Sequence, residues 1–463
     1  MTRIDVLPDD VLLEVFDFYK TNCSPNHKKG IEGWQSLVHV CRRWRSLVLG
    51  SPRRLNLQLC CKPKTPARDT LNVWPTLPIV IYGEMALSSG TDNVIAALGQ
   101  SNRVRQVNLS EFADRQQLEQ VLATMQVPFP ELTYLDLWSY VETPPVIIPD
   151  SFLGGSAPRL QNFRLFGIPY PGLPRLLLST TCLVHLWLTN IPHSGYISPE
   201  AVVDLVSVLS SLETLTLKFQ SPLSRPDRET RRPPPSNRSV IPALYYFHFH
   251  GVIEYLEDLV THIDTPQLEE MHITFFNQID FDTPRLVRFI NRTPKLTKRD
   301  AHVQFNDTFV RVGLPPGSGA LQITVSCREP DWQLSSIEQV CNSSLHPLST
   351  VDDLYIEHQY SQLVWKDKAI ENALWLQLLL PFVAVKNLYL SKEFSPGVAA
   401  ALKELAGDRI AEVLPNLQNI FVKGPQPSGS YQENIGQFVA ARQLSEHHIT
   451  ISVWDEGSDM ESK

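Results

Sequence analysis

The hexapeptide Leu132-Thr133-Tyr134-Leu135-Asp136-Leu137 carries the pattern that decides the fold, with apolar residues at its first, fourth and sixth positions. The pattern returns along most of the chain, and the first seven clear copies start 23 to 32 residues apart. Self-similarity at such a period is typical of a solenoid built from stacked repeats. The clear copies begin at Val104, Leu132, Leu160, Leu183, Leu212, Leu244, Leu268, Val351, Val385 and Leu417.

Each copy predicts one β-strand, because side chains alternate between the two faces of an extended segment. Leu135 and Leu137 then point to one side, and Tyr134 and Asp136 to the other. The intervening sequence favours helices, since several segments begin with a capping residue and an early proline. One strand and one helix cannot bury their own apolar side, so the units must stack. The helical segments with this signature are 198–209, 282–290 and 395–414.

Several copies are degenerate. The copy at Leu296 has Arg299 and Ala301 where apolar residues usually stand, and the copy at Ala320 fits only loosely. Weaker units at 55–59 and 79–81 would start the repeats directly after an N-terminal segment, and a last helix and strand are expected at 431–444 and 448–454. A set of unrelated α/β domains remains the alternative.

The repeat resembles a leucine-rich repeat, which implies parallel strands on a concave face with helices outside. It departs from that family because Asn190 alone comes near the slot where Asn or Cys usually follows the strand. Many units instead have proline two residues before the first apolar position, where proline ends a helix and extends the chain. These prolines are Pro130, Pro158, Pro242, Pro266, Pro294 and Pro415.

The strand positions that point away from the core are candidates for contacting a protein target, because exposed aromatic residues are common in binding surfaces. Alternatively, loops or a neighbouring helix cover them. The alternating His248 and His250, with His272 one unit further on, could suggest a metal, but no cysteine or carboxylate of matching spacing accompanies them, so we expect none. The candidate target-binding residues are Tyr134, Arg164, Trp187, Tyr246, His248, His272, Tyr355 and Tyr389.

The first fifty residues predict a helical hairpin. Pro8 suits a first helical turn, and Asp9 and Asp10 suit the positive end of the helix dipole. A second helix is expected from Trp34 to Val48. A hairpin this short buries little of its own apolar surface, so it should need a partner. The apolar face of the first helix is formed by Val11, Leu12, Val15, Phe16 and Tyr19.

This segment resembles an F-box, through a Leu-Pro-x-x-Val-Leu-x-x-Val-Phe run and a later Leu-x-x-Val-Cys-Arg-x-Trp run. The likeness covers about residues 4–50, with a spacer at 20–33 that is longer than usual. It implies docking to the Skp adaptor of a cullin–RING ubiquitin ligase. With the weak repeats, the chain is similar to the large fungal (basidiomycete-type) F-box families. The adaptor-binding residues implied are Leu7, Pro8, Val11, Leu12, Val15, Phe16, Leu37, Val40, Cys41 and Trp44. The alternative is an ordinary helical cap whose apolar faces are buried inside the same chain.

Composition limits the function. With 463 residues, a net charge of −8 and a pI near 5.9, the chain is unlike a nucleic-acid binder. It has no signal-like or membrane-spanning apolar run. Its seven cysteines include no Cys-x-x-Cys pair, so neither disulfides nor zinc are expected, and the cytosol or nucleus fits best. No catalytic or cofactor-binding motif occurs, so we expect a non-enzyme without a cofactor.

The sequence therefore predicts an α/β chain in three parts: a small all-α F-box at 1–50, an irregular leucine-rich-repeat-like solenoid at 51–454, and a disordered acidic tail at 455–463. A basic, proline-rich insert at about 221–240 should be disordered. We expect the substrate-recognition subunit of an SCF-type ubiquitin ligase, whose repeats bind an unknown protein target. The alternative is an interaction scaffold with no ligase attached, and an enzyme on an α/β fold is a weaker third reading.

Overall fold

In a computed structural model, two compact units divide the chain at Leu183 and Val184. The structure describes residues 7–22, 33–64, 66–74, 76–86, 90–140, 145–226, 238–277, 281–296, 300–313, 320–344, 346–358, 372–405, 412–423, 430–444 and 448–454. The expected tail at 455–463 lies outside these residues, as does the middle of the insert, 227–237. Within the described residues, none of the helices has the length and apolar content needed to cross a bilayer.

The first unit begins with helices and continues as a parallel sheet in the order β1-β2-β3-β4-β5. Its strands are β1 (Leu59–Cys61), β2 (Ile79–Glu84), β3 (Val104–Ser110), β4 (Tyr134–Trp138) and β5 (Asn162–Phe166). Its helices are α1 (Asp9–Asn22), α2 (Gly33–Val38), α3 (Arg42–Gly50), α4 (Ala67–Val73), α5 (Thr91–Leu98), α6 (Arg115–Thr124) and α7 (Leu173–Leu177). The helical segment α1–α3 thus shares one compact unit with the first repeats.

The repeat pattern sets the strand register. Leu135 of β4 lies opposite Val107 of β3 and Phe163 of β5, and all three side chains are buried. The next inward position repeats this arrangement, with Leu137 between Leu109 and Leu165. Ladders of apolar side chains therefore run across the strands and form the core, as the alternation predicts. The weak early unit at 79–81 is a strand, since it lies within β2, which pairs in parallel with β1. The unit expected at 55–59 is displaced, because Leu55 and Leu57 precede the strand and β1 begins only at Leu59.

The second unit continues the same architecture. Its sheet has the order β6-β7-β9-β11-β14-β13-β12-β15-β16-β17-β18. Its strands are β6 (His185–Ile191), β7 (Thr214–Phe219), β8 (Ser239–Val240), β9 (Tyr246–Gly251), β10 (Ile263–Asp264), β11 (Glu270–Phe275), β12 (Asp300–Phe305), β13 (Phe309–Gly313), β14 (Ala320–Ser326), β15 (Asp353–His358), β16 (Asn387–Leu390), β17 (Asn419–Lys423) and β18 (Thr450–Trp454). Its helices are α8 (Pro199–Val208), α9 (Ile253–His262), α10 (Pro284–Asn291), α11 (Pro330–Ser344), α12 (Asn372–Leu379), α13 (Ser395–Lys403) and α14 (Ser430–Leu444).

Among the described strands, β13 departs from the expected parallel face. β13 is antiparallel to both of its neighbours, β12 and β14. Only residues 306–308 separate β12 from β13, which is too short for the crossover that a parallel pair requires. Consequently β14, from the loosely fitting copy at Ala320, takes the place beside β11, and β12 pairs with β15. The degenerate copy at Leu296 keeps its phase, because Leu296 and Ala301 are both buried.

The structure matches some of the predicted helix ends and differs from others. Ser198 caps α8 as predicted, with its hydroxyl oxygen accepting from the Ala201 amide at 3.2 Å. The helix at 282–290 is present as α10, but Thr283 makes no side-chain capping bond there. The helix expected at 395–414 ends at Lys403 as α13. Part of the insert expected to be disordered is a strand, since β8 pairs in parallel with β10.

The single helix expected from Trp34 to Val48 is wrong, because two helices, α2 and α3, occupy that stretch. Cys41 interrupts it with an extended backbone (φ −157°, ψ 170°), and its sulfur accepts from the Trp44 amide at 3.5 Å. Cys41 therefore acts as the N-cap of α3, a position that must leave helical geometry.

Candidate functional site

The interior of the helical segment α1–α3 contains part of the predicted adaptor-binding set. Leu12, Phe16 and Leu37 are buried there, and the Phe16 ring lies 4.7 Å from the Trp44 ring, centroid to centroid. These three side chains hold the helices together, because a segment this small has few other apolar residues to bury. They are therefore not part of the exposed surface of this structure, and their contact with an adaptor stays a prediction.

The outer surface of α1 carries the rest of the apolar face. Val11 is 39% exposed and Val15 is 46% exposed, and Tyr19 follows at 43%. Residues four apart lie above one another on a helix, so these three side chains form one stripe, which we call the docking stripe. The other predicted adaptor-binding residues also reach the surface: Pro8, Val40 and Cys41 are exposed, and Leu7 and Trp44 are half-buried. Clustered apolar exposure of this kind marks interaction surfaces.

Basic residues of α3 fix α1 and α2 in place, a role that the sequence did not reveal. Arg43 donates from Nη2 to the Leu7 carbonyl oxygen and to Asp9 Oδ1, both at 2.6 Å. Arg45 donates from Nε to the Val38 carbonyl oxygen at 3.0 Å. The Arg43 bonds join the start of α1 to α3 and so orient the docking stripe, whereas the Arg45 bond joins α3 to the end of α2. Their only sequence signal is the run of arginines, which by itself indicates a polar helix face.

Trp34 attaches the helical segment to the first repeat. Its Nε1 donates to the Gln58 carbonyl oxygen at 3.0 Å, just before β1. Its ring meets Trp74, after α4, edge to face at 5.1 Å between centroids. The Trp34 side chain is 2% exposed, so it is a buried anchor. The helical segment is thereby packed directly against the first repeat.

The candidate target-binding residues lie on the strand face opposite the apolar core, which we call the open face of each unit. All eight of them are half-buried. In the first unit, the Tyr134 hydroxyl donates to Asp136 Oδ2 at 3.2 Å, and the Arg164 guanidinium carbon lies 5.9 Å from the Tyr134 ring centroid. Asp136 is 5% exposed, and burial raises its pKa although Tyr134 and Arg164 oppose the shift.

A histidine cluster occupies the open face of β9 and β11 in the second unit. The His248 and His272 rings are 5.5 Å apart, and Tyr246 lies 5.4 Å from His272. Burial, together with smaller effects of Lys218 and the neighbouring histidines, lowers the pKa of His248 to about 3. Burial likewise lowers the pKa of His250 to about 4. Both rings are neutral near pH 7. Among the described residues, no group of three His, Cys, Asp or Glu side chains is arranged to hold a metal ion.

An aromatic ladder crosses β12, β15, β16 and β17. Tyr355 stacks on His302 at 4.3 Å and on Tyr389 at 4.2 Å, and Tyr389 stacks on Phe421 at 4.6 Å, all between ring centroids. The residues are directly opposite in register, so the spacing between strands brings the rings into contact. Sequence reasoning identified the two tyrosines and missed His302 and Phe421. The signal was available, since Phe421 occupies the same repeat position as Tyr389.

These strands, helices and registers make each unit a mixed α/β structure with a mostly parallel sheet, built on a repeated strand pattern. No family model matches the chain, and no curated protein sequence is similar to it at a significant level. Among solved structures, it is similar to the leucine-rich repeat-containing protein LegL7 from Legionella pneumophila, with 14% sequence identity and a TM-score of 0.29. That match covers 84% of this chain and 97% of LegL7.

Proposed function

We propose that this protein is the substrate-recognition subunit of an SCF-type ubiquitin ligase. In this proposal α1–α3 bind the Skp-type adaptor and, through it, a cullin–RING ligase, and the open faces bind a protein target. The protein is not itself a catalyst. It holds the target near the ubiquitin carrier and so raises its effective concentration. The observation that carries the proposal is the two-part F-box-like motif, whose valines Val11 and Val15 remain exposed.

The exposure of the docking stripe supports adaptor binding. Burying an apolar side chain is worth about 1.5–3 kcal/mol, so leaving a Val-Val-Tyr stripe in water forgoes several such gains. Its neighbours Asp10 and Glu14 are exposed on the same helix, so the stripe has a charged border. An apolar centre with a polar rim is the usual composition of a protein-binding surface.

The packing of Trp34 supports a receptor role for the whole chain. Because its ring is buried between the helical segment and the first repeat, the docking stripe has a defined orientation within its unit. A ligase receptor needs such a fixed join, since the target must be presented in a reproducible position.

The alternative, a scaffold with no ligase, has one observation in its favour. Leu12, Phe16 and Trp34 bury themselves within the first unit, as the residues of a terminal cap would do. A cap, however, has no need of an exposed apolar stripe on its outer surface. Docking to an adaptor explains both the buried and the exposed residues.

Co-expression with the host's Skp adaptor, followed by size-exclusion chromatography, tests the proposal. We expect a complex with one adaptor per chain, and its loss in a Leu7→Ala/Pro8→Ala variant that keeps the wild-type circular dichroism spectrum. Val127→Asp, an exposed change away from α1–α3, should leave the complex intact. A soluble, monodisperse protein that never co-elutes with the adaptor would overturn the proposal in favour of the scaffold.

A further inference from the structure

A cavity of about 610 Å³ opens on the open face of the second unit, where β7, β9 and β11 meet β13 and β14. It exists because of the antiparallel strand β13. Phe309 and Arg311 are two residues apart on antiparallel β13, so both side chains point to the same side of that strand. A regular repeat would place no such strand there. Departures from a regular fold often mark functional positions.

The charged side chains that line this cavity are cations. Lys218 enters from β7, Arg311 from β13, and Arg328 from the segment after β14. His248 also lines it but is neutral near pH 7, since its pKa is about 3. In the described part of the chain, none of the lining side chains is a carboxylate. Three positive charges thus gather at one point of a chain whose net charge is −8.

The position of Arg311 is costly without a ligand. Its Nε is buried and has no hydrogen-bond acceptor among the described residues. The guanidinium carbon lies 4.8 Å from the Phe309 ring centroid, which holds the group in place. Burial lowers the pKa of both Arg311 and Lys218, which shows that desolvation opposes their charges. A buried donor left without an acceptor is destabilising, so such a group needs an explanation.

The rest of the wall supplies neutral hydrogen-bond donors. Hydroxyl groups can rotate to donate, and side-chain amides carry two N–H bonds each. Combined with a guanidinium fork and an ammonium group, such donors match the several oxygens of a phosphate-like anion. The hydroxyl and amide side chains are Thr274, Thr308, Thr324, Ser326, Asn277 and Gln322.

We infer that this cavity, which we call the cationic pocket, binds a phosphate group that is carried by a small molecule or by the side chain of a bound protein. The inference rests on the proposed function only in taking the open face as a binding surface. Arg311 supplies the paired N–H donors, Lys218 and Arg328 supply charge, and Phe309 keeps the guanidinium in place.

Isothermal titration calorimetry at constant ionic strength tests the pocket, with inorganic phosphate and a phosphoserine peptide as the two probes. We expect saturable binding that Arg311→Gln weakens by about 10- to 100-fold, the usual loss for a hydrogen-bonded charge pair. The Arg328 side chain is exposed, so Arg328→Gln does not disturb the core. This variant should also weaken binding of the probes. Lys423 is a cation on β17 that does not line the pocket. The Lys423→Gln variant is therefore the matched control and should bind both probes as the wild type does.

The two probes separate the sources of the phosphate. A phosphopeptide that binds at least tenfold more tightly than inorganic phosphate, and loses that affinity without its phosphate, indicates a protein ligand. Equal affinities indicate a small molecule. The inference is refuted if neither probe binds, or if Arg311→Gln and Arg328→Gln bind as the Lys423→Gln control does. Adaptor co-elution in the same preparations keeps this failure distinct from a failure of the proposed function.

Discussion

Replacing Glu257 by alanine should uncouple helix α10 from helix α9. The Glu257 carboxylate, in the middle of α9, accepts from the Leu286 amide at 2.7 Å and from the Arg285 amide at 3.0 Å. These amides belong to the first turn of α10, whose N–H groups have no partner within the helix. The side chain that caps α10 therefore comes from the preceding repeat.

The size of the effect follows from these two bonds. Hydrogen bonds to a charged acceptor contribute about 1.5–3 kcal/mol each, and burial of the carboxylate offsets part of that. Burial raises the pKa of Glu257 even though both amides lower it, and this shift shows that burying the carboxylate has a cost. We expect Glu257→Ala to lower the free energy of unfolding by about 2–4 kcal/mol, and Glu257→Gln, which keeps one acceptor oxygen, by about half as much.

Urea denaturation followed by circular dichroism measures the loss, and hydrogen exchange locates it at the amides of residues 285 and 286. Glu119→Ala is the control, because its ion pair with Arg115 is an exposed pair four residues apart and worth about 0.3–0.5 kcal/mol. The reasoning fails if Glu257→Ala is no more destabilising than Glu119→Ala, or if both amides stay protected from exchange.

Three further predictions concern stability. Tyr255→Phe removes a buried hydroxyl that donates to the Ile197 carbonyl oxygen at 2.8 Å, so it should cost about 1–2 kcal/mol in denaturation, whereas exposed Tyr245→Phe should cost nothing measurable. Gly154→Ala should lower the melting temperature, because φ is +65° and a Cβ would lie 2.7 Å from a Pro128 ring carbon, whereas Gly436→Ala, with open space, should not. The folded pKa of His248, about 3, is below its ordinary 6.5, so the unfolded state binds more protons and stability should fall as pH falls through that window. His248→Asn should make the pH dependence of the urea midpoint shallower, and an unchanged slope would contradict this.

The repeat pattern was enough to predict most strands, because strand periodicity and burial depend on local alternation. The ladder through Leu135 follows directly from it. The antiparallel β13 was not predictable by the same means, since its direction depends on the short connection after Phe305 and on which neighbour β14 joins. Strand order is a property of tertiary pairing, and a local pattern does not encode it.

In the candidate sites, too, the local pattern was predictable and the tertiary packing was not. The outward positions of the repeat were predictable, and the structure places Tyr355 and Tyr389 in one stacked ladder. Which F-box-like residues face inward was not, because Val11 and Leu12 are equivalent apolar residues until α3 packs against α1. The cationic pocket was not predictable from the sequence, because Lys218, Arg311 and Arg328 are separated along the chain and come together only through the antiparallel pairing of β13.

The most direct test of adaptor docking is the dissociation constant between the purified protein and the Skp adaptor, measured for the wild type and for the Val11→Asp/Val15→Asp variant. Charges in the middle of the docking stripe should weaken binding by about 100-fold or more, since buried unpaired charges at an interface cost several kcal/mol. Val127→Asp is the control, because the Val127 side chain is 47% exposed in the wild type and that of Val15 is 46% exposed. The Val127→Asp variant should bind the adaptor as tightly as the wild type does. Absence of wild-type binding, or equal affinities for both variants, would contradict the account.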